Sequence, residues 1–240
     1  MTETLFRDDA YRTEVEATVV FADARGIALD RTVFYPQGGG QPGDQGELVV
    51  AGGAAIPIVD ARYDNDRQTI LHLPAIDLPA EGAALPAPGA KVVARIDRER
   101  RYKLMRAHTA LHLLSVALPY PVTGGSVGEA EGRLDFACET TLDKAAVERR
   151  LNELIALDAP VGVRWITDAE LDANPDLVKT MMVKPPRGAG KVRLVAIEGL
   201  DLQPCGGTHV ARTSEIGRAS VTQIEKKGRL NRRVRIVLSA

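Results

Sequence analysis

The chain has 240 residues, of which 45% are hydrophobic and 26% charged, with a formal net charge of −1. This composition is that of an ordinary globular protein large enough for two modest domains. No apolar run approaches the ~20 residues that span a bilayer, and residues 1–4 lack the basic and apolar parts of a signal peptide. The two cysteines do not suggest a disulfide framework. We therefore expect a cytoplasmic protein without a membrane partner.

The first 96 residues predict an all-β domain. Short stretches rich in valine, isoleucine and leucine alternate there with turn residues. The predicted strands are 15–21, 26–30, 47–50, 56–60, 69–73 and 91–96. His72 lies on one of these strands with no chemical partner near it in the sequence, so we interpret it as structural. The expected domain is a small β-barrel over residues 1–96.

A glycine-rich segment, residues 34–46, interrupts these strands. Its glycines permit positive φ angles and the close approach of another surface. A flexible surface loop is the simplest interpretation. Pro36 and Pro42 restrict the backbone on both sides, however, and so favour a loop of defined shape.

From Asp97 onward the pattern predicts helices as well as strands. Asp97 can cap a helix whose first half is basic and whose second half is apolar, and which ends before Pro119. The predicted helices are 98–118, 141–157 and 168–175. The predicted strands are 122–128, 133–138, 161–166, 192–197, 219–225 and 233–238, with a turn at 201–204. Residues 97–240 are therefore expected to form an α+β domain with a mainly antiparallel sheet.

Two short motifs contain residues that bind metals. His108 and His112 stand four residues apart on the predicted first helix and so share one face of it. Cys205 and His209 have the same spacing around two glycines. Imidazole and thiolate are the preferred ligands of zinc. We therefore predict one zinc ion per chain, bound by these four residues.

The role of this zinc is open between catalysis and structure. A zinc protease needs a glutamate directly after the first histidine as its general base, and Thr109 occupies that position. A purely structural zinc is less favoured, because the domain has enough apolar residues to fold without it. A catalytic zinc keeps a position open for water, so either one ligand, His108 or His209, must leave or the coordination must expand.

Basic residues near these motifs indicate a polyanionic partner. They are Arg101, Lys184, Arg187, Lys226 and Lys227. Each group alone would be interpreted as a solvated surface. Together, in a chain of nearly zero net charge, they favour RNA. Because only 4% of the residues are aromatic, contacts with phosphates are expected rather than base stacking.

Three segments together resemble a known family. Residues 34–44, FYPQGGGQPGD, residues 108–114, HTALHLL, and residues 205–209, CGGTH, occur in the order found in the editing domain of alanyl-tRNA synthetase. No aminoacylation or tRNA-reading domain is attached, so the chain is most similar to freestanding alanyl-tRNA editing proteins of the AlaX type. The wider superfamily includes the editing domain of threonyl-tRNA synthetase.

The resemblance implies a β-barrel followed by an α/β editing domain with a metal-bearing helix. It implies an aminoacyl-tRNA deacylase that hydrolyses mischarged alanine tRNA, with serine as the main wrong amino acid and glycine as a second. The four histidine and cysteine positions match the zinc ligands of the family. The substrate-binding positions that we infer are Thr109, Thr123, Gly39, Gly40 and Gln41.

Some functional assignments stay open at this point. No acidic residue or free histidine stands out as a general base, so we expect a water oriented by zinc or by a hydroxyl of the tRNA. The alternatives to this enzyme are a zinc-stabilised tRNA-binding module without catalysis and an editing enzyme for mischarged threonine tRNA. No protein partner is evident from the sequence.

Overall fold

The structure is a computed structural model that describes residues 1–50, 53, 55–75, 85–178 and 190–239. The chain forms two compact units, Met1–Tyr102 and Lys103–Ala240. Among the described residues the α-helices are α1 (Arg98–Ala117), α2 (Lys144–Ala156) and α3 (Asp168–Ala173). Short 3₁₀-helices occur at Leu5–Arg7, Pro175–Leu177 and Thr213–Ile216.

The described strands of the first unit are β1 (Glu3–Thr4), β2 (Glu14–Asp23), β3 (Gly26–Leu29), β4 (Arg31–Thr32), β5 (Gly46–Val50), β6 (Ala55–Tyr63), β7 (Ile70–Pro74) and β8 (Lys91–Ile96). Those of the second unit are β9 (Val122–Gly128), β10 (Glu131–Ala137), β11 (Val161–Ile166), β12 (Val192–Ile197), β13 (Asp201–Pro204), β14 (Ala219–Lys226) and β15 (Asn231–Leu238). The boundary between the two units lies within α1, and the predicted boundary, residue 96, lies just before this helix.

Six strands of the first unit close into a barrel in the order β2-β3-β7-β6-β5-β8. Every neighbouring pair is antiparallel. The alternation of side chains determines which face of each strand lies inside. In β8, for example, Val92, Ala94 and Ile96 point into the core, whereas Lys91 and Arg95 are exposed. The predicted β-barrel is confirmed. The short parallel pair β1–β4 was missed, because two residues cannot show a period.

His72 lies fully buried on β7, inside the barrel. Its Nδ1 lies 2.9 Å from the carbonyl oxygen of Ile27 and its Nε2 lies 2.8 Å from Thr32 Oγ1. Burial lowers the pKa of His72 to about 4, so the ring is neutral at physiological pH. Both ring nitrogens have protein partners, which agrees with a structural role.

The glycine-rich segment has a defined shape. The hydroxyl of Tyr35 donates a hydrogen bond to the carbonyl oxygen of Gly38 over 2.8 Å. The backbones of Gly38 and Gln41 are hydrogen-bonded to each other in both directions, over 3.0 and 2.9 Å. At Gly43 a Cβ atom would lie 2.2 Å from a carboxylate oxygen of Asp60, so the close contact requires glycine. These contacts favour the loop of defined shape over the flexible one.

Arg101 is buried within the first unit. Its Nε lies 3.0 Å from Asp44 Oδ1, and its Nη2 donates to the carbonyl oxygen of Val33 over 2.7 Å. Only 2% of either charged side chain is exposed. The expectation that Arg101 contacts RNA is therefore corrected, because its guanidinium is engaged with Asp44 and with backbone carbonyls.

The described part of the second unit contains two antiparallel sheets, β14-β15-β10-β9 and β11-β12-β13. Helix α2 is tied to β14, because Asn152 exchanges hydrogen bonds of 2.7 and 3.0 Å with the backbone of Ala219. The inner face of β15 is mainly apolar, with Val234, Ile236 and Leu238 buried in line with Arg232. These features confirm the predicted α+β class with mainly antiparallel sheets.

Two local predictions in this unit are corrected. Residues 201–204 form strand β13 rather than a turn, because they pair with β12 across a turn at residues 198–200. Helix α2 starts at Lys144 rather than at Thr141. The side chain of Asp143 caps it by accepting a hydrogen bond from the backbone of Ala145 over 2.9 Å.

In the parts of the chain that the structure describes, no helix combines the length and the apolar character needed to cross a membrane.

Candidate metal centre

Two segments of the second unit bring the four predicted metal-binding residues together. His108 and His112 lie one turn apart on α1, and their rings are 5.4 Å apart between centroids. Cys205 follows β13 directly, and His209 lies in the loop that begins there. The ring of His209 lies 4.4 Å from that of His108. One donor atom from each of the four residues lies within 4.8 Å of all the others.

The spacing of the donor atoms suits a tetrahedral metal ion. Cys205 Sγ lies 3.5 Å from His108 Nε2 and 3.3 Å from His209 Nε2. Zinc bonds of about 2.0 Å to nitrogen and about 2.3 Å to sulfur, at tetrahedral angles, place these atoms about 3.5 Å apart. The donor set and its spacing therefore fit a metal ion, and they are compatible with zinc.

Without a metal, the electrostatics of the cluster favour the metal-binding forms of Cys205 and His209 but the protonated form of His112. Burial raises the pKa of the Cys205 thiol, but His108 and His209 outweigh burial and bring that pKa well below its usual value. Burial and the neighbouring His108 lower the pKa of His209 to about 3, so this ring is neutral. Burial also lowers the pKa of His112, but hydrogen bonds with Asp201 and Cys205 raise it overall, to about 9.

Strand β13 contributes buried polar residues that the sequence did not reveal. His112 Nδ1 lies 3.0 Å from Asp201 Oδ2, and Gln203 donates to the same oxygen over 2.7 Å. From β12, Arg193 donates to the carbonyl oxygens of Cys205 and Gly207 over 2.8 and 3.0 Å. The available signal was the alternation of Asp201, Gln203 and Cys205. The prediction of a turn at 201–204 concealed it.

Thr109 was predicted to bind substrate, and the structure corrects this assignment. Its side chain is fully buried. Its hydroxyl donates to the carbonyl oxygen of Met105 over 2.9 Å and lies 3.1 Å from His209 Nδ1. The backbone N–H of Val210 also donates to it, over 3.3 Å. These three contacts use the capacity of a hydroxyl for one donated and two accepted hydrogen bonds, so Thr109 has none left for a substrate.

Thr123 lies in β9, where the pairing with β10 is irregular. It is partly buried. Its hydroxyl donates to the carbonyl oxygen of Asp135 over 3.2 Å and accepts from Asn231 Nδ2 over 2.8 Å. One lone pair of the hydroxyl oxygen therefore remains for another donor.

The other predicted residues have different positions. Gly39, Gly40 and Gln41 belong to the loop of the first unit, where the two glycines have φ angles of +57° and +83° and Gln41 is buried. Lys226 and Lys227 are exposed at the end of β14, and Lys227 pairs with Glu225 over 2.7 Å. Lys184 and Arg187 lie outside the described residues.

The chain is similar to a domain of the threonyl and alanyl tRNA synthetases. The family model of the threonyl and alanyl tRNA synthetase second additional domain matches residues 192–235. This match includes the CGGTH motif, β14 and the first part of β15. The chain is also 37% identical to an alanine–tRNA ligase of Halorubrum lacusprofundi over 93% of its own length, which corresponds to 24% of the ligase.

Freestanding relatives match over nearly their whole length. The chain is 37% identical to the alanyl-tRNA editing protein AlaX-M of Methanosarcina barkeri, over 99% of each chain. It is 34% identical to the protein of the same name from Saccharolobus solfataricus, over 98% of each chain. At this identity and coverage, the chain belongs to the AlaX-M family of alanyl-tRNA editing proteins.

Proposed function

We propose that the protein is a trans-acting aminoacyl-tRNA deacylase. It hydrolyses the ester that joins serine to the terminal adenosine of alanine tRNA, and it accepts glycine as a second substrate. Membership of the AlaX-M family supports this reaction. The observation that carries the proposal is the convergence of Cys205 with the buried histidines His108, His112 and His209 in one cluster.

A single zinc ion is the proposed cofactor. His108, His112, Cys205 and His209 would hold it, since their donor atoms have the spacing described above. When bound, zinc polarises a carbonyl group and lowers the pKa of a coordinated water. The protein contributes a lowered thiol pKa at Cys205 and a neutral ring at His209, both of which favour metal binding at neutral pH.

Such an enzyme exists because the synthetic pocket for alanine cannot exclude its near relatives strongly. A pocket rejects an added hydroxyl or a missing methyl group by only about 10- to 200-fold. A separate hydrolytic site therefore has to prefer serine, which carries a hydroxyl, over alanine, which does not. A polar group that serine pairs with and alanine leaves unpaired supplies that preference.

Thr123 is the proposed reader of the serine hydroxyl. Its own proton is donated to the carbonyl of Asp135, and one of its lone pairs is used by Asn231. The second lone pair accepts the hydroxyl proton of serine. Alanine has no such proton, so it would leave a partly buried acceptor unpaired.

The exposed Lys226 and Lys227 are the proposed contacts with tRNA phosphates. An ammonium group attracts phosphates without reading the sequence, so these residues would add affinity rather than selectivity. In the loop of the first unit, Gly39 and Gly40 present exposed backbone with positive φ. We assign this loop a role in substrate discrimination, by a backbone approach that a side chain would obstruct.

The test measures serine released from mischarged alanine tRNA, with correctly charged alanine tRNA as the control. We expect rapid release of serine and little release of alanine. Thr123→Val should reduce hydrolysis of the serine ester by about 10-fold, since it removes one hydrogen-bond acceptor. Equal inertness towards both tRNAs would overturn the proposal. Faster hydrolysis of mischarged threonine tRNA in direct competition would instead reassign the substrate.

A further inference from the structure

Two buried polar side chains contact the metal-binding histidines but are not themselves among the four metal-binding residues. They are Asp201 on β13 and Thr109 on α1. The side chain of Asp201 is fully buried, and so is that of Thr109. Because burying polar groups costs free energy unless they are paired, the partners of these two residues indicate what they do.

Asp201 determines which nitrogen of His112 can bind a metal. An ionised carboxylate only accepts hydrogen bonds, so at 3.0 Å from Asp201 the Nδ1 of His112 carries the proton. The amide nitrogen of Gln203 lies 3.1 Å from the same Nδ1 but has its shorter contact, as a donor, with the carboxylate. When a metal displaces the other ring proton, the free lone pair is on Nε2, the nitrogen on the opposite side of the ring from Asp201. Gln203 donates to the same carboxylate oxygen over 2.7 Å and holds it in place.

Thr109 determines the same choice for His209. The proton of the threonine hydroxyl is donated to the carbonyl oxygen of Met105 at 2.9 Å. The hydroxyl can therefore only accept from His209 Nδ1, at 3.1 Å. The proton of His209 is on Nδ1, and its lone pair is on Nε2, the atom that lies 3.3 Å from Cys205 Sγ.

Each of the two segments that form the cluster supports a histidine of the other segment. The segment that carries Cys205 holds His112 of the helix through Asp201. The helix that carries His108 and His112 holds His209 of the loop through Thr109. We propose that Asp201 and Thr109 are positioning residues that brace the two half-sites against each other and present Nε2 of both histidines to the metal. This inference rests on the proposed zinc site but not on the identity of the tRNA.

The Thr109 arm has a matched pair of variants. Thr109→Val keeps the shape and removes the hydroxyl, whereas Thr109→Ser keeps the hydroxyl. Zinc affinity is measured by competition with a chelator. We expect Thr109→Val to lose about 10- to 100-fold in affinity, and Thr109→Ser to bind within a few-fold of the wild type. If Thr109→Val binds zinc as tightly as the wild type, the role of Thr109 is refuted.

The Asp201 arm uses Asp201→Ala and Asp201→Asn. The alanine variant frees Nδ1 of His112, so the ring can take either tautomer, and the same loss of about 10- to 100-fold is expected. Asparagine retains an acceptor oxygen and should lose less. Cobalt substituted for zinc provides a second measurement, because its visible absorption reports the ligands. A shifted spectrum in Asp201→Ala supports the proposal, whereas an unchanged spectrum together with unchanged affinity refutes it.

The metal measurements separate this proposal from the proposed function. A wild-type chain that binds zinc tightly but releases no amino acid from any mischarged tRNA overturns the function. The bracing then still stands on the affinities of the variants. Conversely, normal serine release together with unaltered zinc affinity in both Thr109→Val and Asp201→Ala overturns the bracing alone.

Discussion

Both units of the molecule bury histidines, but the second ring nitrogen has a different partner in each. In the barrel, His72 is paired with Ile27 on one side and with Thr32 on the other. In the second unit, His209 has Thr109 on one side, and its other nitrogen faces the sulfur of Cys205. His72 thus has hydrogen-bond partners on both nitrogens, whereas Nε2 of His209 belongs to the group of four converging donor atoms.

The comparison shows how a structural histidine differs from a ligand of a metal. His72 and His209 are both buried, and in both rings Nδ1 has a hydrogen-bond partner. The difference lies at Nε2. In His72 this nitrogen meets the hydroxyl of Thr32, whereas in His209 it meets the sulfur of Cys205, a metal-binding atom.

Replacing Cys205 by alanine removes the sulfur towards which the histidine nitrogens converge. We expect zinc affinity and serine release both to fall by more than about 100-fold, since loss of a ligand exceeds the loss of a supporting residue. Zinc content by elemental analysis and serine release measure the two effects. Cys138→Ala, at the other, buried cysteine, is the matched control and should retain both. Unfolding of Cys205→Ala would favour the non-catalytic, zinc-stabilised module.

Replacing Asp44 by alanine tests the buried ion pair between Asp44 and Arg101 in the first unit. It leaves the buried guanidinium of Arg101 without its carboxylate and removes the acceptor for the backbone N–H of Tyr35. The expected loss is about 3–5 kcal/mol in the free energy of unfolding, measured by denaturant titration. Glu14→Ala breaks an exposed ion pair with Arg95 and should change stability little. An equal effect of the two variants would contradict our assignment.

The pH dependence of the barrel should report His72. Its folded pKa, about 4, lies below its ordinary value of 6.5, so the unfolded chain binds a proton first. The contribution of His72 to stability is complete above pH 6.5 and falls as the pH drops from 6.5 towards 4. At about 1.4 kcal/mol for each pH unit, the loss is about 3 kcal/mol.

Hydrogen exchange in the peptide covering β7 measures this effect. The variant His72→Gln, which does not titrate in this range, should flatten the dependence between pH 6.5 and 4. If the variant and the wild type lose the same protection over this range, His72 is not the responsible group.

The smallest effect concerns the glycine-rich loop. Gly43→Ala places a Cβ atom 2.2 Å from the carboxylate of Asp60 and 2.3 Å from the carbonyl oxygen of Ala61. The expected loss of stability is about 1–3 kcal/mol, as for other overpacked sites. Gly38→Ala in the same loop meets its nearest atom at 3.6 Å and serves as the control. Thermal unfolding of both variants decides whether the loop is as rigid as the barrel.

Most of the fold and the four metal-binding residues could be predicted from the sequence. The barrel strands could be predicted because valine, isoleucine and leucine alternate at the period of a strand. The metal-binding helix could be predicted because Asp97 caps it and Pro119 ends it. The donors could be named because histidine and cysteine at a spacing of four are rare and chemically specific.

The polar residues that support the cluster could not be predicted, because they meet it only in the folded chain. Asp201 lies far from His112 in sequence, and Thr109 lies far from His209, so no local pattern connects them. Arg101 was assigned to RNA because charged residues usually lie at the surface, yet Asp44 draws it inside. A period in the sequence shows which face of a strand or helix is buried. The partner that a buried polar side chain meets depends on contacts between distant segments, and these exist only in the folded chain.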